Sequence, residues 1–209
     1  MKKSMVCLLL FIMTLGLTGC WDKTTGENVA SQFESSVFIG DSVTEGFAFN
    51  EILPRERVIA GAGATAGFSY DDVDVLFEIR PDYVFIMFGS VDLLMPVDDP
   101  LGLFRTDLTN LINKIAGLTP HSEIYLQSIT PVTEAAQNVE PRYRDIEKYN
   151  EVVQEVAHQL DVGYVNLGPL VDENPNLYAE DGVHFKKEFY PLWLERLAAV
   201  TRVRNSNAL

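Results

Sequence analysis

The chain has 209 residues and a formal net charge of −14, and 47% of its residues are apolar. This length and apolar content suit one globular domain with a substantial core. The acidic excess and the lack of any basic run argue against binding to nucleic acid, because phosphate groups need a basic patch.

The first twenty residues have the pattern of an export signal. Lys2 and Lys3 precede an apolar run of about a dozen residues, which is too short for an ordinary membrane-spanning helix. The run ends in Leu17-Thr18-Gly19-Cys20, which resembles a bacterial lipobox. An ordinary secretory signal and an N-terminal anchor are the alternatives. We expect residues 1–20 to be a lipoprotein signal peptide and Cys20 to carry the lipid, which would hold an extracytoplasmic protein on the bacterial cell membrane.

Residues 21–35 are polar and show little periodicity, so they are predicted to form a tether of about 20 Å between the lipid and a domain at 36–209. The chain has two cysteines, Cys7 in the leader and Cys20. Neither has metal-ligand spacing, so we predict no metal site. We also expect no cofactor. We expect a monomer.

From residue 36 onward, short β-branched or aromatic runs alternate with helical patterns. The predicted strands are Val37–Ile39, Arg57–Ala60, Tyr83–Phe88, Glu123–Gln127 and Gly163–Asn166. The predicted helices are Val43–Phe49, Tyr70–Ile79, Leu103–Ala116, Arg142–Leu160 and Lys186–Arg202. Five such alternations predict an α/β fold, a parallel sheet with helices on both faces. In such sheets ligands bind beyond the carboxyl ends of the strands, where the strand order reverses.

Ser42 follows the first predicted strand, in Gly40-Asp41-Ser42. A serine at this turn would present its hydroxyl to the crevice at the carboxyl edge of the sheet. The alternative is that Asp41 or Ser42 only caps the following helix.

Asp181-Gly182-Val183-His184 precedes the last predicted helix. A serine hydroxyl is a weak nucleophile that needs an adjacent base, and histidine suits that role. A carboxylate three residues earlier would orient the imidazole. His121 and His158 lie in a turn and an amphipathic helix, where structural roles are expected.

The two segments together resemble the first and last motifs of the SGNH hydrolases, also called GDSL-like esterases and lipases. The resemblance extends over about residues 36–199. It implies a three-layer α/β/α sandwich with a flavodoxin-like five-stranded parallel sheet. It also implies Ser42 as nucleophile, His184 as base and Asp181 as the orienting acid. The oxyanion hole would use the backbone N–H groups of Ser42 and of Gly63, or alternatively Gly61.

A third motif of the family, Gly-x-Asn-Asp, corresponds to Gly89-Ser90-Val91-Asp92. Val91 stands where the family has asparagine, and valine cannot donate a hydrogen bond to an oxyanion. Three explanations remain open. Ser90 or another side chain replaces the donor, the enzyme is slow or uses an activated substrate, or the site only binds its ligand.

The resemblance implies a serine esterase of the cell envelope. Its substrate would be a carboxylic ester, either an O-acetyl group on a glycan or a short-chain or lipid acyl ester. The rival hypothesis is a catalytically impaired lipoprotein that binds envelope glycans. The loops Val91–Gly102, Thr130–Pro141 and Gly168–Glu180 are expected to line the pocket, the second as a mobile lid. Tyr143, Tyr178 and Phe185 either line the site or pack in the core.

Overall fold

A computed structural model of the chain describes residues 29–207, with the side chains of residues 29–201. The described residues form one five-stranded parallel sheet in the order β2-β1-β3-β4-β5. The strands are β1 (Ser36–Gly40), β2 (Val58–Ala60), β3 (Tyr83–Met87), β4 (Glu123–Gln127) and β5 (Gly163–Val165). The predicted α/β fold with a flavodoxin-like sheet is confirmed. The strand order reverses between β1 and β3, so the crevice lies beyond their carboxyl ends.

The helices of the described residues cover both faces of this sheet. They are α1 (Ser42–Phe49), α2 (Leu76–Ile79), α3 (Pro100–Leu118), α4 (Glu134–Val139), α5 (Ile146–Gln159), α6 (Gly168–Glu173) and α7 (Phe189–Asn207). Within residues 29–207, none of them has the length and apolar character needed to span a bilayer.

Side chains of each strand alternate between two apolar layers. Val37 and Ile39 of β1 face the layer that contains the buried residues of α3 and α5. Phe38, between them, faces the opposite layer, which is built from α1 and α7. Because both faces of the sheet are buried, its strands are mainly apolar runs. These runs allowed the strands to be predicted from the sequence.

The helix predicted at Tyr70–Ile79 is wrong over most of its length. The structure has 3-10 turns at Phe68–Tyr70 and Asp72–Val75, and only Leu76–Ile79 is α-helical. Aspartate side chains compete for backbone hydrogen bonds and β-branched valines lose rotamer freedom in a helix. Both residue types alternate in Asp71-Asp72-Val73-Asp74-Val75, which explains the shortening.

The starts of three other helices differ from the prediction by three or four residues. The helix predicted from Arg142 begins at Ile146, after a 3-10 turn at Pro141–Asp145. The one predicted from Leu103 begins at Pro100, because Asp99 accepts a hydrogen bond from the Gly102 N–H and proline suits the first helical position. The last begins at Phe189 rather than Lys186.

The predicted tether at 21–35 is also wrong from Val29 onward. Val29 and Phe33 are 5% and 4% exposed and belong to the α1/α7 layer of the core. The Phe33 ring lies 5.7 Å from the rings of both Phe38 and Phe85. Burial of these two apolar side chains makes the segment from Val29 part of the folded domain. The predicted signal peptide, Cys20 and the rest of the tether lie outside the described residues.

Candidate active site

Ser42 is the first residue of α1 and follows β1 by one residue. Asp41 caps the helix, since its Oδ1 accepts a hydrogen bond from the Val43 N–H at 3.0 Å. A side chain at Gly40 would collide with Thr44 and with the Met87 carbonyl, so this glycine allows α1 to start close to the sheet. The capping proposed for Asp41 and the exposure of Ser42 in the crevice therefore coexist.

The structure brings His184 to Ser42 across 142 positions of sequence. The Ser42 Oγ lies 2.8 Å from His184 Nε2, and His184 Nδ1 lies 2.6 Å from Asp181 Oδ2. Because the carboxylate can only accept, this pattern assigns the ring proton to Nδ1 and leaves Nε2 to accept the serine proton. The three residues predicted as nucleophile, base and orienting acid thus form one hydrogen-bonded chain.

The turn that carries His184 is held from several sides. Asp181 Oδ1 accepts hydrogen bonds of 2.9 Å from the N–H groups of both Val183 and His184. Gly182, which follows Asp181, has φ of +70°, and its carbonyl accepts a hydrogen bond from the Thr133 N–H at 2.9 Å. Partial burial alone would raise the pKa of Asp181, but the hydrogen bonds from His184 and Val183 outweigh it and lower the pKa. The acid therefore stays ionised beside the imidazole.

Ser90 makes a contact that sequence reasoning missed. Its hydroxyl donates to Oδ2 of Asp41 at 2.5 Å, joining the β3 loop to the turn before Ser42. Burial raises the pKa of Asp41, against the lowering effect of the hydrogen bonds from Ser90 and Val43. A serine hydroxyl has one proton to donate, and this one is used. This hydrogen bond favours the alternative that another side chain replaces the missing oxyanion donor.

The glycine loop after β2 leaves the choice between Gly63 and Gly61 as predicted oxyanion donors open. Gly63 has φ of +76°, a conformation that only glycine adopts without strain. Gly61 accepts a hydrogen bond from the Ala64 N–H at 3.2 Å and so closes the turn around Gly63. Val91 is partly exposed at the start of the next loop. The oxyanion roles of these backbone groups stay predictions.

Asp92 is the second buried carboxyl group near the crevice, and it is only 4% exposed. Its Oδ1 accepts from the Ala66 N–H at 3.0 Å and thereby joins the glycine loop to the β3 loop. Burial raises the pKa of Asp92 to about 7, and the nearby charge of Asp41 adds to this effect. The available sequence signal was the position of Asp41 directly after β1 and of Asp92 in the loop after β3.

The loops predicted to line the pocket contain short helical segments. Thr130–Pro141, predicted as a mobile lid, contains α4, and its Pro131 carbonyl accepts from the Tyr178 hydroxyl at 2.7 Å. Phe185 is 5% exposed and stacks on Phe189, so it packs in the core. Tyr143 is partly exposed. Among the described residues, no group of three His, Cys, Asp or Glu side chains could hold a metal ion.

A family model described as the GDSL-like Lipase/Acylhydrolase family matches residues 38–192. The match includes every residue of the Ser42–His184–Asp181 chain and most of the described domain. The chain belongs to this family. As a GDSL-like hydrolase, the protein is a carboxylic ester hydrolase. No curated protein matches the chain in sequence.

Solved structures of similar fold agree with the GDSL-like assignment. The lipase/acylhydrolase from Enterococcus faecalis has a TM-score of 0.64 and 21% identity, over 81% of this chain and 96% of that one. The enzyme LAE5 from the metagenome of Lake Arreo has a TM-score of 0.60 and 18% identity, over 79% and 93%. The acetylxylan esterase Axe2 from Geobacillus stearothermophilus has a TM-score of 0.54 and 20% identity, over 77% and 90%. These likenesses concern the fold.

Proposed function

We propose that this GDSL-like hydrolase cleaves esters through a covalent acyl-enzyme, with Ser42 as nucleophile, His184 as base and Asp181 as the orienting acid. The observation that carries the proposal is the 2.8 Å contact between Ser42 Oγ and His184 Nε2. Proton transfer requires this reach between nucleophile and base.

In the first step Ser42 Oγ forms a bond to the ester carbonyl carbon while its proton passes to His184 Nε2. The tetrahedral intermediate then collapses, the alcohol oxygen leaves with that proton, and the acyl group stays on Ser42. Water attacks the acyl carbon while His184 takes its proton, and the acid is released with Ser42 restored. Asp181 holds the Nδ1 proton in place and stabilises the imidazolium in both halves of the reaction.

The proposed substrates are small acyl groups, acetyl above all, on a bulky alcohol such as a cell-envelope glycan; short-chain and lipid acyl esters come next. The His184 and Asp181 side chains are 39% and 51% exposed, so a large alcohol can approach them from solvent. The fold is similar to that of an acetylxylan esterase, and this supports acetyl esters as substrates by analogy.

We also propose that the enzyme works outside the cytoplasm, anchored to the cell membrane by a lipid on Cys20. The support is the Leu17-Thr18-Gly19-Cys20 sequence after an apolar run. Cys20→Ala should move the protein from the membrane fraction to the soluble one. An unchanged distribution would contradict the lipid anchor without touching the proposed chemistry.

The hydrolytic function is tested with p-nitrophenyl esters of increasing chain length beside acetylated and de-acetylated polysaccharides. We expect turnover to be highest for acetyl groups, and Ser42→Ala to abolish both turnover and labelling by a fluorophosphonate. Labelling that persists in Ser42→Ala would contradict the role of this serine.

One observation favours a second function. Val91 removes a donor whose loss typically lowers kcat by about 10²- to 10³-fold, so the domain could instead bind envelope glycans without cleaving them. Wild-type protein that binds acetylated polysaccharide, but shows neither turnover nor fluorophosphonate labelling, would support this alternative.

A further inference from the structure

The oxyanion of the proposed intermediate lacks one side-chain donor in this chain. Val91 occupies the position of the expected amide and cannot donate. Ser90 is next to it, but its proton is given to Asp41. Another side chain near the carboxyl ends of β1 and β3 is therefore needed as the hydrogen-bond donor.

The segment before α5 lies against the β3 loop at this point. Arg142, in the 3-10 turn Pro141–Asp145, donates from Nη1 to the Leu94 carbonyl at 2.9 Å. Leu94 ends the 3-10 turn Asp92–Leu94 that directly follows Val91. The rest of the Arg142 guanidinium is held by Glu140, at 2.9 Å from Nε and 2.7 Å from Nη2. Arg142 thus fixes the two turns together, with three of its five N–H groups engaged in doing so.

Tyr143 is the next residue of that turn. Its N–H donates to the Glu140 carbonyl at 3.1 Å, and its ring packs against the apolar layer on the α3/α5 side of the sheet, as Val183 does. The charges of Asp41 and Asp181 both act on its phenol. The contact between Arg142 and Leu94 places the turn that holds Tyr143 beside the loop after β3, next to the turn that follows Val91.

The phenol hydroxyl of Tyr143 is free to donate. In the part of the chain that the structure describes, it has no hydrogen-bond partner, and the residue is only partly buried. Burial raises the pKa of Tyr143, and the charges of Glu140, Asp41 and Asp181 raise it further. The hydroxyl therefore keeps its proton throughout the pH range in which esterases are assayed.

We propose that the Tyr143 hydroxyl donates a hydrogen bond to the oxyanion of the tetrahedral intermediate, in place of the amide that Val91 lacks. The proposal rests on the hydrolytic function proposed above. The phenol and the backbone N–H groups of Ser42 and the glycine loop would then surround the developing negative charge. A donor that acts only on this charge raises kcat and has little effect on substrate binding.

The first test compares kcat and KM of Tyr143→Phe with those of wild type on p-nitrophenyl acetate. The variant keeps the ring and loses the hydroxyl, so kcat should fall by about 10²-fold with KM nearly unchanged. Tyr70→Phe is the matched control. Tyr70 lies in the turn Phe68–Tyr70 beneath the Lys114 ammonium, 4.2 Å from its ring centre, and the loss of its hydroxyl should leave kcat unchanged.

The second test adds Val91→Asn to wild type and to Tyr143→Phe. If tyrosine supplies the missing donor, asparagine should raise kcat much more in the Tyr143→Phe background than in wild type, because the two donors serve one charge. Equal gains in both backgrounds, or a Tyr143→Phe variant with wild-type kcat, would overturn the proposal. Ser42→Ala, assayed in parallel, distinguishes a failure of the Tyr143 proposal from a failure of the proposed hydrolytic function. If Ser42→Ala is inactive while Tyr143→Phe is fully active, only the role of Tyr143 is wrong. Activity that survives Ser42→Ala contradicts the proposed function itself.

Discussion

The Ser90 hydroxyl donates a 2.5 Å hydrogen bond to the Asp41 carboxyl group, across 49 positions of sequence. Asp41 in turn caps α1 one residue before Ser42. This single contact joins the loop after β3 to the turn after β1, the two strands between which the strand order reverses. The placement of Ser42 thus depends on a buried carboxyl group that has Ser90 as its only side-chain partner among the described residues.

We predict that Ser90→Ala lowers the free energy of unfolding by about 1–3 kcal/mol, because Asp41 loses a partner where water cannot replace it. The pKa of Asp41, already raised by burial, should rise further. Urea unfolding of wild type, Ser90→Ala and Ser90→Thr measures the effect. Threonine keeps the hydroxyl and should keep most of the stability. An alanine variant as stable as wild type would show that the contact contributes nothing.

Asp181→Asn should lower kcat by about 10⁴-fold, the size of the loss when the acid of a Ser-His-Asp triad becomes an amide. The amide can donate to Nδ1 and so favours the wrong tautomer of His184. Steady-state kinetics with a soluble acetyl ester checks the prediction. The exposed neighbour Glu180 provides the control, since Glu180→Gln removes the same charge without contacting the imidazole. Equal kinetics for the two variants would argue against the role of Asp181.

Features that depend on local pattern were predicted well from the sequence. β4 was predicted with its observed bounds and β3 to within one residue, because buried parallel strands are apolar on both faces. Ser42, Asp181 and His184 were singled out because residue types that fit one chemistry stand in two short motifs, which together resemble those of the SGNH hydrolases. Parallel strands bring such positions to one edge, so the sequence indicated their proximity before any contact was known.

Features that depend on long-range contacts were missed. The link between Ser90 and Asp41 cannot be read from either neighbourhood, since each residue alone is an ordinary loop or cap residue. α4 and α6 have six residues each, too few to show a helical period. Phe33 is one of a few scattered apolar side chains in a polar stretch, and the contacts of its ring with Phe38 and Phe85 reveal that it belongs to the core.

Gly182→Ala should destabilise the protein and lower kcat together. The residue has φ of +70°, and an added Cβ would collide with the Thr133 side chain. We expect a cost of about 1–3 kcal/mol and a displaced His184, because the turn cannot relax without losing the Thr133–Gly182 hydrogen bond. Gly117→Ala is the control: it lies in α3 with open space around the added Cβ, and it should keep or slightly raise stability. A Gly182→Ala variant with normal stability and kcat would show that a side chain at position 182 causes no strain in this turn.

Asp92 predicts how stability changes with pH. Its pKa is raised by burial to about 7 from 3.8, so the folded state binds this proton more tightly than the unfolded state does. The stabilisation from protonated Asp92 is complete below pH 3.8 and is lost as pH rises through about 7. For this group alone, the free energy of unfolding should be about 2–3 kcal/mol higher at pH 5 than at pH 8.

Urea unfolding from pH 5 to pH 8 compares wild type with Asp92→Asn and with the exposed control Asp98→Asn. Asparagine at 92 keeps the acceptor for the Ala66 N–H but cannot ionise, so the variant should lose most of this pH dependence and exceed wild type in stability at pH 8. Asp98→Asn should follow the wild-type curve, because an exposed carboxyl group carries no such penalty. If Asp92→Asn also followed it, Asp92 would have to ionise as readily in the folded protein as in the unfolded chain. The cost of burying its charge next to Asp41 would then be absent.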